Sequence, residues 1–232
     1  MRFLFYMKTI LVTGGSRGIG LATIKRLLTQ GHKVINISRN SPALEQDLTE
    51  EQRFIQINCD LGQLDKNVLE SHLANNHPID VIFNNAGTLI NKPFLNLTDE
   101  ELEQVYRINV FSIFKLIQIC FMYLAQDAHI VNVSSIGGIS GTQKFPGLSV
   151  YSSSKGAVTV LTECLQAEFQ HTSLAFNGLA FGAVQTEMLE SAFPGYRAPV
   201  DANEISEFIA WFLLNGQKFF KGKILPVSIS NP

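Results

Sequence analysis

Thr13-Gly14-Gly15-Ser16-Arg17-Gly18-Ile19-Gly20 stands between the apolar run Ile10-Leu11-Val12 and the helix-like stretch Leu21 to Gln30, which Gly31 ends. A glycine-rich turn from a buried strand into a helix N-terminus meets three needs of a dinucleotide pyrophosphate: a tight turn, close backbone approach and free amide donors. Gly14, Gly18 and Gly20 lack the Cβ that would collide with phosphates. Ser16 and Ile19 are expected to add backbone contacts. The spacing is GxxxGxG rather than GxGxxG. A tight turn with no ligand is the competing explanation, so the rest of the chain has to decide.

Outward from this turn, strand-like and helix-like segments alternate. Strands are expected at Lys8–Val12, Val34–Ser38, Phe54–Cys59, Val81–Phe83, Ile130–Val133, Leu174–Ala180 and Lys223–Ile229. Helices are expected at Leu21–Gln30, residues 63–75, Asp99–Ala125, Ser152–Gln170 and Glu204–Leu214. Thr98 reads as the N-cap of the long helix, with Asp99, Glu100 and Glu101 in its first turn. The strands are continuous apolar runs rather than alternating ones, the mark of strands buried on both faces. The βαβ alternation implies an α/β doubly wound parallel sheet of about seven strands with helices on both faces, a Rossmann fold. No linker or repeat interrupts it, so residues 1–232 read as one domain.

Composition narrows the class. The 232 residues are 46% hydrophobic and 16% charged, with 18 basic against 20 acidic side chains. That length suits one sizeable core. The near-balanced charge gives no footprint for nucleic acid or an anionic membrane surface. The apolar start Met1 to Met7 is broken by Lys8 and runs into the first strand without a small-residue cleavage site. Residues 1–6 read as a short extension, with Met7 as an alternative start. No other apolar stretch reaches the roughly 18 uncharged residues of a membrane span, and a soluble cytoplasmic protein is expected. Cys59, Cys120 and Cys164 are too far apart for a CxxC or zinc motif and read as small buried apolar residues. His32, His72, His77, His129 and His171 are scattered near element ends. They read as surface or capping residues, with no metal site.

The end of the second strand bears on the cofactor. A carboxylate about 20 residues past the glycines would bind the ribose hydroxyls of NAD. Here the strand ends Ile37-Ser38-Arg39-Asn40, without an acid. Arg39 can hold a 2′-phosphate through charge-assisted hydrogen bonds. Arg17 adds a second positive charge and Ser38 a hydroxyl donor. NADP(H) is therefore favoured over NAD(H).

Tyr151-Ser152-Ser153-Ser154-Lys155 opens a helix. Residues four apart share a helical face, so Lys155 can place its ammonium near the Tyr151 phenol. A nearby cation favours the phenolate and lowers a pKa that is near 10 in free tyrosine. That moves the phenol towards the range of a general acid/base at neutral pH. YxxxK alone is common. Its weight comes from following the glycine turn and the fifth strand in order.

With these motifs in sequence, the chain resembles the compact, single-domain short-chain dehydrogenases/reductases along nearly all of its length. The matching residues are Thr13–Gly20, Asn84-Asn85-Ala86-Gly87 after the fourth strand, Asn109 in the long helix, Ser134-Ser135 after the fifth strand, and Tyr151 with Lys155. The resemblance implies an NADP-dependent oxidoreductase that interconverts a carbonyl and an alcohol. Tyr151 would donate the proton in reduction and accept it in oxidation. Lys155 would lower its pKa and bind the nicotinamide ribose. Ser135, with Ser134 as the alternative hydroxyl, would hydrogen-bond the substrate oxygen. Asn109 would hold a water linking Lys155 to solvent, unless it only packs or bends its helix. Asp60 and Leu61 would contact adenine, with a plain turn residue as the alternative for Asp60. Asn85, Ala86 and Gly87 would line the cofactor. Val184 and Thr186 would hold the carboxamide, with a helix cap as the alternative for Thr186. Relatives pair their two long helices, here Asp99–Ala125 and Ser152–Gln170, so a homodimer or homotetramer is implied.

Three departures set the chain apart from that pattern. Ser135 and Tyr151 are 16 positions apart, a few more than usual, which should reshape the pocket. Phe181-Gly182 replaces the usual Pro-Gly, so Phe181 is expected over the nicotinamide or in the core. Only 15 positions separate Thr186 from Asp201, a short lid that should leave the pocket open to a bulky or polymer-borne substrate. An NADP-binding sensor with weak or lost catalysis is the reading from another class. A methyltransferase on a similar sheet would leave YxxxK unexplained.

Overall fold

Apolar residues at consecutive positions need cover on both faces, and the sheet supplies it. In this computed structural model, which describes residues 6–49 and 53–229, seven strands form one parallel sheet. They are β1 (Thr9–Thr13), β2 (Lys33–Ser38), β3 (Phe54–Asn58), β4 (Ile79–Asn84), β5 (Leu124–Ser135), β6 (Ala175–Phe181) and β7 (Ile224–Val227). Their order is β3-β2-β1-β4-β5-β6-β7. The order in which strands are added reverses between β1 and β4, the switch point where such sheets open a crevice at the strands' carboxyl ends.

Alternate residues of each strand enter separate cores. Leu11, Ile35, Ile82 and Ile130 pack on one face with α3 (Lys66–Leu73), α5 (Ser112–Cys120) and α6 (Ser149–Glu168). Ile10, Val12, Val34 and Phe83 pack on the other with α1 (Gly18–Thr29) and α8 (Ala202–Asn215). A single turn, α2 (Gln46–Thr49), follows β2, α4 (Asp99–Tyr106) precedes α5, and α7 (Glu187–Ala192) follows β6. Both Thr98 on α4 and Asp201 on α8 form capping boxes, with Glu101 and Glu204 respectively.

Several expected boundaries move. The long helix does not reach Ala125. It passes through a π-helical segment, Arg107–Phe111, and closes in a 3-10 turn at Phe121–Tyr123. Leu124 already pairs with Ile79, so β5 begins six residues before the expected strand. The apolar Leu124 and Ala125 continue the helical composition, and only the pairing with β4 makes them strand. The helical run Asp99–Tyr123 is 25 residues long and apolar enough to cross a membrane by length and composition, with 44% of its apolar window buried in the protein. The expected N-terminal extension lies outside the described residues, Tyr6 excepted.

Two composition-based expectations fail. His129 is not a surface residue. It is fully buried in β5, with Nδ1 against the Leu213 carbonyl at 3.1 Å and Nε2 against Asn177 Nδ2 at 3.0 Å. These bonds tie β5 to β6 and α8, and burial lowers its pKa to about 4. His32 is also buried, and its Nδ1 accepts from the Lys8 amide. Of the cysteines only Cys120 is buried; Cys164 is exposed on α6.

Candidate active site

The site is built first from backbone geometry. Gly14 has φ +71°, and a Cβ there would lie 2.8 Å from the Ala86 Cα. A Cβ on Gly20 would lie 2.4 Å from the Gly14 carbonyl oxygen. These glycines are demanded by contact between the turn and the end of β4, before any phosphate enters. Asn85 Nδ2 donates to the carbonyls of Thr13 at 3.0 Å and Gly14 at 3.2 Å. The Ala86 amide donates to Thr13 Oγ1 at 3.0 Å. Asn36, fully buried in β2, accepts from the Gly15 amide at 3.0 Å. Thr13 and Asn36 thus shape the turn; Asn36 did not stand out in the sequence, where a lone Asn inside the apolar run Val34–Ser38 was the available signal. Arg17 is the N-cap of α1 and gives no side-chain cap. The amides of Gly18, Ile19 and Gly20 in the first turn therefore have no capping side chain, an arrangement suited to an anion.

Arg39 follows β2 at the rim of the cavity and has no ion-pair partner among the described residues. Arg17 lies beside the same cavity but forms an exposed ion pair with Glu187 on α7. Ser38 differs from expectation. Its hydroxyl donates to the Asn40 carbonyl at 2.7 Å and accepts from Asn36 Nδ2 at 2.8 Å. The expected phosphate donor is engaged within the strand end. Asp60 Oδ1 caps the turn Leu61–Gln63 by accepting from the Gly62 amide, and both Asp60 and Leu61 line the cavity.

At the other end, Ser135 closes β5 while α6 presents Tyr151 and Lys155. A Cβ on Gly138 would come within 2.6 Å of the Lys155 carbonyl carbon, so the turn after Ser135 is pressed against α6. The Ser135 side chain is close enough to the Tyr151 phenol to lower its pKa. Ser135 Oγ also accepts from the Gly137 amide at 3.2 Å. Ser134 is buried and donates to the Lys155 carbonyl at 2.9 Å. Of the two serines, Ser135 faces the phenol and Ser134 braces the helix.

Lys155 is buried, with Nζ donating to the Val133 carbonyl at 2.8 Å and lying 5.9 Å from the Tyr151 ring centroid. Asn109, in the π-helical segment, donates to the Thr88 carbonyl at 3.0 Å and to Ser154 Oγ at 2.9 Å, and accepts from the Thr88 amide at 2.8 Å. One lone pair of its Oδ1 is left. A Cβ on Gly87 would lie 3.4 Å from both Asn109 Oδ1 and Lys155 Nζ, so the two polar atoms flank the same glycine. Ser154, overlooked in the sequence among three serines, links Asn109 to α6 and donates to the Tyr151 carbonyl at 2.7 Å.

Electrostatics run against one expectation. Burial raises the Tyr151 pKa, and only the Ser135 side chain pulls it down. Lys155 was expected to lower it. Burial instead depresses Lys155 to about 8, because removing water penalises its charged form.

Gly14, Arg17, Gly18, Ile19, Arg39, Asp60, Leu61, Asn85, Ala86, Gly87, Ser135, Tyr151 and Lys155 line one cavity of about 1050 Å³, whereas Gly20, Asn109 and Ser154 are not part of its lining. Val184 and Phe181 are buried in the core and each keeps a surface on the cavity. Thr186 caps α7 by accepting from the Leu189 amide at 3.2 Å and also lines the cavity. A nucleotide fits the chemistry of this cradle: uncapped amides and a free Arg39 at one end, a phenol, hydroxyl and ammonium at the other.

Comparison with known proteins agrees with this geometry. The family model described as short chain dehydrogenase matches residues 8–197. The chain belongs to that family. Its members are NAD(P)-dependent oxidoreductases. This short-chain dehydrogenase is 35% identical over 182 residues to carbonyl reductase (NADPH) 2 of Sus scrofa, covering 77% of this chain and 72% of the relative. It is 34% identical over 196 residues to L-2,3-butanediol dehydrogenase of Corynebacterium glutamicum, covering 79% and 74%. The solved short chain dehydrogenase from Salmonella enterica serovar Typhi superposes with TM-score 0.86 at 26% identity, covering 97% of this chain and 98% of that one.

Proposed function

We propose that this chain interconverts a small-molecule carbonyl compound and its alcohol with NADP(H). The observation that carries the reading is the meeting of Tyr151, Ser135 and Lys155 in one cavity with the glycine turn. When bound, the nicotinamide supplies or takes up the hydride. Tyr151 gives its phenolic proton to the developing alkoxide in reduction and removes it in oxidation. Its burial keeps it protonated at neutral pH, as a proton donor must be. The Ser135 hydroxyl hydrogen-bonds the reacting oxygen and stabilises charge growing there. Lys155 holds the cofactor ribose and stabilises the phenolate left by proton transfer. The free lone pair of Asn109 orients a water beside Lys155 that returns the proton from solvent.

The same cavity supports the cofactor assignments. Gly14, Ser16, Arg17, Gly18, Ile19 and Gly20 cradle the pyrophosphate. Arg39 holds the 2′-phosphate, and Arg17 contributes once released from Glu187. Asp60 and Leu61 meet the adenine. Asn85, Ala86 and Gly87 line the ribose, with Val184 and Thr186 at the carboxamide. The pig relative is named for NADPH, in keeping with Arg39. We read the chain as one domain that works as a homo-oligomer in a reducing cytoplasm, where its three free thiols are at home.

The test is oxidation of NADPH and NADH against aldehydes, ketones, quinones and 3-oxoacyl thioesters. Turnover with NADPH preferred is expected. NADPH binding without turnover of any of them points to a sensor instead. Arg39→Asp is expected to move the NADPH/NADH affinity ratio towards NADH by about tenfold or more, as loss of a charge-assisted contact does. An unchanged ratio places the 2′-phosphate elsewhere.

A further inference from the structure

The two ends of the cavity differ in chemistry. Charged side chains (Arg17, Arg39, Asp60) gather at the nucleotide end. Past Tyr151 the lining changes to Leu89, Ile136, Phe145, Leu148, Leu189 and Phe193. Of the cations closest in sequence to those walls, Arg197 is exposed and outside the cavity lining, and Lys92 and Lys144 are engaged elsewhere. Lys92 is paired with Glu101 at 2.9 Å. Lys144 folds onto its own loop, donating to the carbonyls of Ile139 at 2.7 Å and Thr142 at 3.0 Å. Apart from Lys155, whose Nζ donates to the Val133 carbonyl, no ammonium or guanidinium among the described residues lines this end to receive a substrate carboxylate or phosphate.

The short lid and the long loop before Tyr151 meet at this end. Phe145, from the long loop before α6, and Phe193, just after α7, meet edge to face with ring centroids 6.0 Å apart and planes at 75°. Asn91 Nδ2 donates to the Ala192 carbonyl at 2.8 Å, and the Lys92 amide to the Gly147 carbonyl at 3.0 Å. Three segments are thereby joined around an apolar mouth. The extra residues between Ser135 and Tyr151 supply Phe145, and the short lid supplies its partner.

We infer that the substrate of this site is an uncharged ketone or aldehyde, with its alcohol, whose apolar ring lies against the Phe145–Phe193 pair. Phe145 and Phe193 are its specificity-determining residues. A charged group near the carbonyl would lose its water with no counter-charge in the wall. A carrier-borne chain would have to part the aromatic pair and the Asn91 tie. The inference rests on the oxidoreductase reading and names the substrate class of that same site.

Acetophenone and 4-acetylbenzoate share a ring and differ by one carboxylate. The neutral ketone is expected to have the higher kcat/KM by about 10- to 100-fold, from the desolvation of an unpaired charge. Phe193→Ala should lower kcat/KM for acetophenone relative to butane-2,3-dione by about tenfold or more, the worth of one aromatic wall. Phe193→Arg should swing the preference towards 4-acetylbenzoate, so a gain of function stands beside the loss. Calorimetric binding of both ketones to the NADPH complex of Tyr151→Phe reads the same preference without turnover. If binding discriminates and no carbonyl is turned over, the substrate class stands and the oxidoreductase reading falls. Equal or better use and binding of the carboxylate, or ratios unmoved in both Phe193 variants, overturn the inference.

Discussion

Lys155 carries the largest local cost in the site. Its ammonium is buried against one carbonyl oxygen, and its pKa falls from 10.5 to about 8. The folded protein therefore releases a proton near pH 8 that the unfolded chain keeps to about 10.5. Stability rises with pH across that window, and below it the protein bears the full cost of burying the charge. Lys155→Met removes the titration. The variant is expected to gain on the wild type at neutral pH, with the gap closing by up to about 1.4 kcal/mol per pH unit as pH rises from 8 to 10.5. Denaturant unfolding of both proteins across that range checks it; parallel curves would show that the charge is not penalised. At this scale the sequence was informative where chemistry depends on residue type and spacing. Tyr151 and Lys155 four apart in one helix could be read directly. The sign of the Tyr151 shift could not, because burial is set by walls from distant parts of the chain. Nor could the fate of the Ser38 proton, which depends on a backbone carbonyl two residues on.

At the scale of elements, the glycine turn, β4 and α1 lock together. The Gly20 Cβ position is occupied by the Gly14 carbonyl at 2.4 Å and Asn85 Nδ2 at 2.7 Å. Backbone cannot swing away as a side chain can, so Gly20→Ala must shift α1 or the turn. Overpacking of this kind costs about 1–3 kcal/mol, which is several degrees of Tm for a domain of this size. Both Tm and NADPH affinity are expected to fall, as thermal unfolding with and without nucleotide would show. A variant that keeps both would mean that the turn is looser than its contacts. Strand runs such as Ile10–Val12 and the cap at Thr98 were legible because periodicity and capping are local. The end of the long helix was not, since Leu124 and Ala125 suit helix by composition and become strand only through the Ile79 pairing. His129 was misread for the same reason: its partners, Leu213 and Asn177, are brought to it by the fold alone.

At the scale of the whole molecule, the π-helical segment ending at Phe111, α5 and α6 lie on one face of the sheet and expose large apolar side chains among charged ones such as Lys115 and Glu163. Phe111, Phe114 and Val160 are 51%, 44% and 58% exposed. Large exposed apolar side chains on neighbouring helices are a surface that a second copy can cover by symmetry, and we propose that one does. Light scattering is expected to give two or four times the 25.7 kDa chain mass, and Phe114→Glu to shift it towards one. A wild-type monomer at micromolar concentration would contradict this. The doubly wound parallel sheet and the crevice at its switch point followed from βαβ alternation. The meeting of the long loop with the short lid did not, since it depends on the contact of Phe145 and Phe193, 48 positions apart.

The central claim is that the Tyr151 phenol moves the proton that accompanies hydride transfer. It is tested most directly by single-turnover reduction of an uncharged aromatic ketone, comparing the wild type with Tyr151→Phe while NADPH binding is measured on the same samples. The predicted result is a rate lower by about 10²–10⁴-fold, the usual worth of a positioned acid, in a variant that still binds NADPH. A Tyr151→Phe protein that reduces the ketone at the wild-type rate would contradict it.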